Sequence, residues 1–219
     1  DFINTFFSSI NEISNNGLEN KNMKDFFNSA NEILKKAHKT SRIRDKFTTY
    51  YYEPTATLIC FLKSEKTETS YNLLYDLYTN EITFYSDIRN WENIKNINDS
   101  FWSELLEVAN KCEIKFGSHS GPFYDKEKTP EFNANYKSIV FNLMSVYITA
   151  MLESENERQN ISFGQLEITW SAQDKCIADI ITELNLAFKT FYRFNYLLWK
   201  SGDIRKQNRI NRKKKELKK

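Results

Sequence analysis

Glycine and proline are scarce, with 5 and 3 among 219 residues. That scarcity argues against a loop-rich sandwich and against a disordered chain, both of which draw heavily on these residues. Neither GxxxxGK[ST] nor GxGxxG occurs, so a glycine loop cradling phosphates is unsupported. There are only two histidines, and the three cysteines, Cys60, Cys112 and Cys176, are scattered and form no CxxC. No nitrogen–sulfur ligand pair stands at usable spacing, so the expectation is no metal and no cofactor. An odd, dispersed set of thiols suits a reducing compartment better than a disulfide framework, which points to the cytoplasm. No apolar run approaches the roughly 18 residues that span a bilayer. The opening DFINTFF also lacks the basic region of a secretory signal.

What the chain has is rings and charge. Seventeen Phe, 12 Tyr and 4 Trp make large side chains the main material of one substantial core. Of 31 basic and 29 acidic residues, nine and one lie from Arg205 onward, so residues 1–204 hold 22 and 28. An acidic body of net −6 therefore carries a basic end of net +8. Such asymmetry is a reason to ask about polyanions.

The periodicity predicts an α+β fold: an N-terminal helical hairpin, a small antiparallel sheet and long C-terminal helices. Phe2, Ile3, Phe6, Phe7, Ile10 and Ile13 share one helical face, with Gly17 as C-cap. A second helix over about 22–38 repeats the pattern through Met23, Phe26, Phe27, Ala30, Ile33, Leu34 and Ala37. The β-branched and aromatic texture that follows predicts strands near 47–52, 55–63, 70–78 and 82–86. A helix is expected from Asp99 or Ser100 to about Cys112, and EIKF reads as a short strand. Thr129-Pro130-Glu131 has the chemistry of a helix start, ahead of a stripe from Tyr136 to Leu152. FGQLEITW reads as a strand, and Ser171-x-x-Asp174 as the capping box of a last long helix. Ser201-Gly202-Asp203 reads as a stop, dividing a globular domain of residues 1–202 from a basic tail of 203–219.

Four features invite a functional reading. The block FKTFYRFNYLLWK places Phe188, Phe191, Tyr192, Arg193, Phe194, Tyr196 and Trp199 on one helix, apolar on more than one side. Either the fold wraps it or a partner does, and Phe, Tyr, Trp and Arg together are typical interface anchors. The tail offers Arg205, Lys206, Arg209, Arg212, Lys213, Lys214 and Lys215 to phosphates, without an aromatic ring on which a base could stack. Against that stands the solvated, indifferent tail that a lysine-rich end usually is.

The other two features concern catalysis. Glu113-Ile114-Lys115 has the ExK spacing of a metal-dependent nuclease, which also needs an acid such as Asp76 or Asp87 on a neighbouring strand. The loop GSHSGPFYD, residues 117–125, holds His119 among serines and an acid but has no GxSxG elbow. Its bland reading is a connector. The expectation is thus a non-catalytic interaction subunit or adaptor, working through its aromatic C-terminal helix on another protein or on itself. The alternative is a nucleic-acid-binding protein or small Mg-dependent nuclease using the tail, with a hydrolase on the 117–125 loop behind both.

Overall fold

A computed structural model describes residues 2–52, 56–109, 113–116, 132–133, 144, 147–148, 151–152, 163–173 and 177–217. The fold is α+β, and the chain divides into two compact units. One is drawn from Asp1–Ser86 and Leu166–Thr190, the other from Asp87–Gln165 and Phe191–Lys219.

The first unit opens with the helical hairpin, α1 (Phe2–Asn16) and α2 (Asn20–Ser41). Phe6, Ile10 and Ile13 of α1 are buried, as are Phe26, Ala30, Ile33, Leu34 and Ala37 of α2. These are the faces that the 3.6-residue period marks. Gly17 ends α1 at φ 82°, donating its N–H to Ile13 O at 2.9 Å, a left-handed cap that costs glycine nothing. Five antiparallel strands follow in the order β1 (Phe47–Tyr51), β2 (Thr57–Ser64), β3 (Ser70–Asp76), β4 (Glu81–Asp87), β7 (Gly164–Ser171). The register aligns Leu58 with Tyr75, Cys60 with Leu73 and Leu62 with Tyr71. Tyr75 and Leu73 in turn face Ile82 and Phe84. Every one of those side chains is buried, so one sheet face is the floor of this unit's core. The β3–β4 turn is built by Asp76, whose Oδ1 accepts from the N–H groups of Tyr78 (2.8 Å) and Thr79 (3.1 Å).

In the second unit, a 3₁₀-helix (Trp91–Asn96) and α3 (Asp99–Ala109) precede the antiparallel pair β5 (Glu113–Phe116) and β6 (Phe132–Asn133). Met144, Tyr147, Ile148, Met151 and Leu152 are helical. Trp91 stacks on Phe163 with ring centroids 5.3 Å apart and planes 6° from parallel. The last helix, α4 (Ile177–Glu216), runs for 40 residues and contributes to both units.

Three sequence expectations are corrected here. Phe132 and Asn133, expected in a helix, pair as strand with Phe116 and Lys115; the expected start at residues 129–131 lies outside the described ones. Ser171 is the last residue of β7 rather than a helix cap, and Asp174 lies outside the described residues. Gly202 does not stop the helix. A Cβ there would come within 2.8 Å of the Asn93 amide, which donates through Nδ2 to Leu198 O at 3.0 Å. Glycine is where the 3₁₀-helix comes close to α4, a packing role that a sequence reads as punctuation.

Candidate functional site

The aromatic block of α4 is interior. Phe188 is fully buried among Phe47, Tyr71 and Phe84 of the first unit, with centroids 5.7, 5.0 and 6.1 Å away. In the second unit Phe191, Phe194 and Leu198 are buried, and Phe194 meets Phe101 at 5.1 Å. Tyr192, buried, stacks with Tyr196, and Tyr196 lies 5.5 Å from Trp199; these last two are half-buried. Arg193 reaches Glu104 of α3 with Nε 2.7 Å from Oε2. Rings packed this way are the chain's own core, so Phe188, Phe191, Tyr192 and Phe194 are not open to a partner in this structure.

Beyond Gly202 the same helix changes character. From Lys206 to Leu217 every residue is exposed. At 3.6 residues per turn, Lys206, Arg209, Arg212 and Lys213 fall within about 120° of arc. Lys214 and Lys215 occupy other sides, and Arg205 lies at the root of the arm. A shallow groove of about 590 Å³ beside it is lined, among the described residues, by Asn208, Asn211, Arg212, Lys214 and Lys215. All five side chains can donate hydrogen bonds, and none of the five carries negative charge. The plain structural role of Lys213, Lys214 and Lys215 is to offset the carbonyl end of the helix dipole. That role does not reach Lys206 and Arg209, which sit two turns back.

The catalytic candidates fare differently. Glu113 and Lys115 lie on a strand, as EIKF implies; on its β6 side Asn133, not an acid, stands opposite Lys115, while the sheet order sets β7, which carries Glu167, on its other side. Asp76 is committed to its turn. Asp87 ends β4, where burial raises its carboxyl pKa against a smaller opposing effect of Arg89. Among the described residues no three His, Cys, Asp or Glu side chains converge as a metal cage. His38 closes α2, donating through Nε2 to Ile43 O at 3.2 Å, with its ring 4.5 Å from Phe47. The 117–125 loop with His119 lies outside the described residues.

Burial pushes the Cys60 thiol up to about 12, against a smaller opposing effect of Lys35. Only the thiolate attacks electrophiles. Cys60 should therefore resist alkylation in the native protein at mildly alkaline pH and react once denatured, as peptide mass spectrometry would read. Ready native labelling at Cys60 would contradict its packing.

Two features are not legible as sites in the sequence. The first is the row of exposed tyrosines at the open edge of the sheet, Tyr50, Tyr51 and Tyr52. Their strand is evident from composition, but its place at the edge depends on strand order. The second is a polar cleft of about 340 Å³ along α1 and α2, lined in part by Ser8, Glu12, Lys21 and Asp25. The buried Asn22 Nδ2 on its wall has no protein partner, and the cleft is roomy enough for the water such a group takes. No helix among the described residues is long and apolar enough to cross a membrane. Compared with known proteins, the chain matches no family model, no curated protein and no solved structure.

Proposed function

We propose that this chain is a non-catalytic interaction protein that grips polyanions, nucleic acid first among them, through the basic arm of α4. The observation that carries the reading is the change along one helix: buried rings up to Leu198, then an exposed segment with Lys206, Arg209, Arg212 and Lys213 on one side. The aromatic half serves this function from within, by fixing the helix that bears the arm.

Electrostatics favours the arrangement. Residues 1–204 carry net negative charge and repel a polyanion. Measured along the axis, Arg209 and Lys215 lie about 16 and 25 Å beyond Leu198. The Debye length at physiological ionic strength is only about 8 Å, so much of the repulsion is screened at the arm. No ring stands in the arm for base stacking, and its donors serve phosphate oxygens, so binding is to backbone rather than to sequence. A reducing, cytoplasmic setting agrees with a thiol kept buried at Cys60.

Four phosphate contacts on duplex DNA give a log–log salt slope of about −3.5, or roughly a hundredfold loss of affinity between about 50 and 200 mM salt. Replacing Lys206, Arg209, Arg212 and Lys213 together by Gln should flatten that slope while leaving the fold unchanged. Fluorescence anisotropy with a labelled duplex, beside heparin as a sequence-free polyanion, reads both. A parent chain that does not bind, or a quadruple variant with the parent's slope, ends the proposal.

A further inference from the structure

Two rings of the aromatic block, Tyr196 and Trp199, belong neither to the buried core nor to the arm. Tyr192 is buried, and a stack continues from it along α4: Tyr192 to Tyr196 at 6.0 Å with planes 16° apart, then Tyr196 to Trp199 at 5.5 Å and 34°. Both later rings are half-buried. A partly exposed ring at the rim of a core needs no ligand by itself. What distinguishes this pair is where its side of the helix leads.

α4 is unbroken from Ile177 to Glu216, and from Phe191 onward it belongs to the second unit. At about 100° per residue, every seventh side chain returns to within about 20° of the same side. Trp199, Lys206 and Lys213 therefore form one row, with about 10 Å of axial rise between successive members. Tyr196 lies about 60° around the helix from Trp199, beside the exposed Lys200. Asp203, exposed on the side between the two rings, opposes an anion there. It is outnumbered: from Lys200 to Lys215 there are eight basic residues and this one acid.

We infer that Tyr196 and Trp199 form a stacking platform at the root of the arm, and that the polyanion it serves is an unpaired nucleic-acid strand. The inference rests on the arm's grip on phosphates proposed above and names its ligand. Bases inside a duplex are stacked on both faces, whereas an unpaired strand can offer its bases to protein rings. Phosphates held by Lys206 and Lys213 lay the strand along the same row that ends in Trp199. The rings are already set by their own stack and by partial burial, so ordering them on binding costs little. Stacking accepts any base, so binding stays sequence-tolerant, in keeping with a backbone-led grip. A sulfated polysaccharide has the charge but no base, and meets the basic residues alone.

Fluorescence anisotropy of the full chain with labelled oligo(dT), and with an abasic strand of equal length, tests it. The two probes match in charge, which a more densely charged duplex does not. Oligo(dT) should bind about fivefold tighter or more. The double variant Trp199→Leu/Tyr196→Ala should bring oligo(dT) down to the abasic level, while heparin affinity and the salt slope stay those of the parent. A parent that binds both strands equally, or a variant that keeps the advantage, overturns the inference and leaves the arm's phosphate contacts standing. A parent that binds neither strand overturns it too, and if heparin is also ignored the proposed function falls with it. Where far-UV circular dichroism shows the double variant disturbed, Tyr196→Ala alone decides, an unchanged advantage overturning the inference.

Discussion

Phe188→Ala should cost about 3–5 kcal/mol of stability, the usual loss when a fully buried Phe is truncated in a packed core. Phe188 contacts rings from three different segments, Phe47 on β1, Tyr71 on β3 and Phe84 on β4, and His38 of α2 lies 6.4 Å away. Alanine would leave a cavity that none of these neighbours can fill without leaving its own strand or helix. Domains are stable by only about 5–15 kcal/mol, so this one change removes a large share. Urea melts should show a lower midpoint at unchanged slope. Tyr196→Ala, at a half-buried position, should cost a fraction as much. The contrast separates core from partner anchor. If Phe188 served a partner, the isolated variant would melt with the parent, and only complex formation would suffer.

Why the sequence leaves that choice open is a matter of what periodicity encodes. A stripe of rings states that a surface is apolar, not what covers it. For α1 and α2 the ambiguity is harmless, because a hairpin's apolar faces have an adjacent sheet to meet, and both helices fall close to where their patterns place them. The four strands from Phe47 to Asp87 are legible as strands from their β-branched and aromatic texture, but Ile59 and Phe61 are as apolar as Leu58, Cys60 and Leu62, so face and register emerge only from the pairing. On α4 the rings lie on several sides at once. Resolving them takes knowledge of which distant segments arrive: Phe101 from α3 against Phe194, and the first unit's strands against Phe188.

The same limit explains the misreadings. Gly202 has the local chemistry of a helix end, and only the approach of Asn93 reveals why glycine is tolerated inside the helix. Pro130 has the chemistry of a helix start, and only the pairing of Phe132 with Phe116 shows that strand follows. Of the site, the arm's charge was legible in composition. Its coherence was not, because a stop at Gly202 would have separated the basic residues from the helix that aligns them.

Arg193→Ala should destabilise the second unit by about 2 kcal/mol, between the under 1 of an exposed ion pair and the 3–5 of a wholly buried one. The pair is lopsided: the Glu104 side chain is 4% exposed and that of Arg193 63%. Little desolvation falls on the guanidinium, while the carboxylate has given up almost all its water and retains Nε at 2.7 Å. Removing the arginine thus takes the near counter-charge from a buried anion, the more damaging direction. Glu104→Gln should cost less, because it removes the charge along with the need for it. Arg193→Lys should fall between, since a compact ammonium cannot reproduce the planar fork. Urea midpoints for the three variants order these effects, and a double-mutant cycle isolates the coupling. Salt gives an independent check: a pair with one member this deeply buried should lose little strength where the exposed arm's charges are strongly screened. Should Arg193→Ala melt within about 0.5 kcal/mol of the parent, the contact is a surface pair after all, and Glu104 is held by its other neighbours alone.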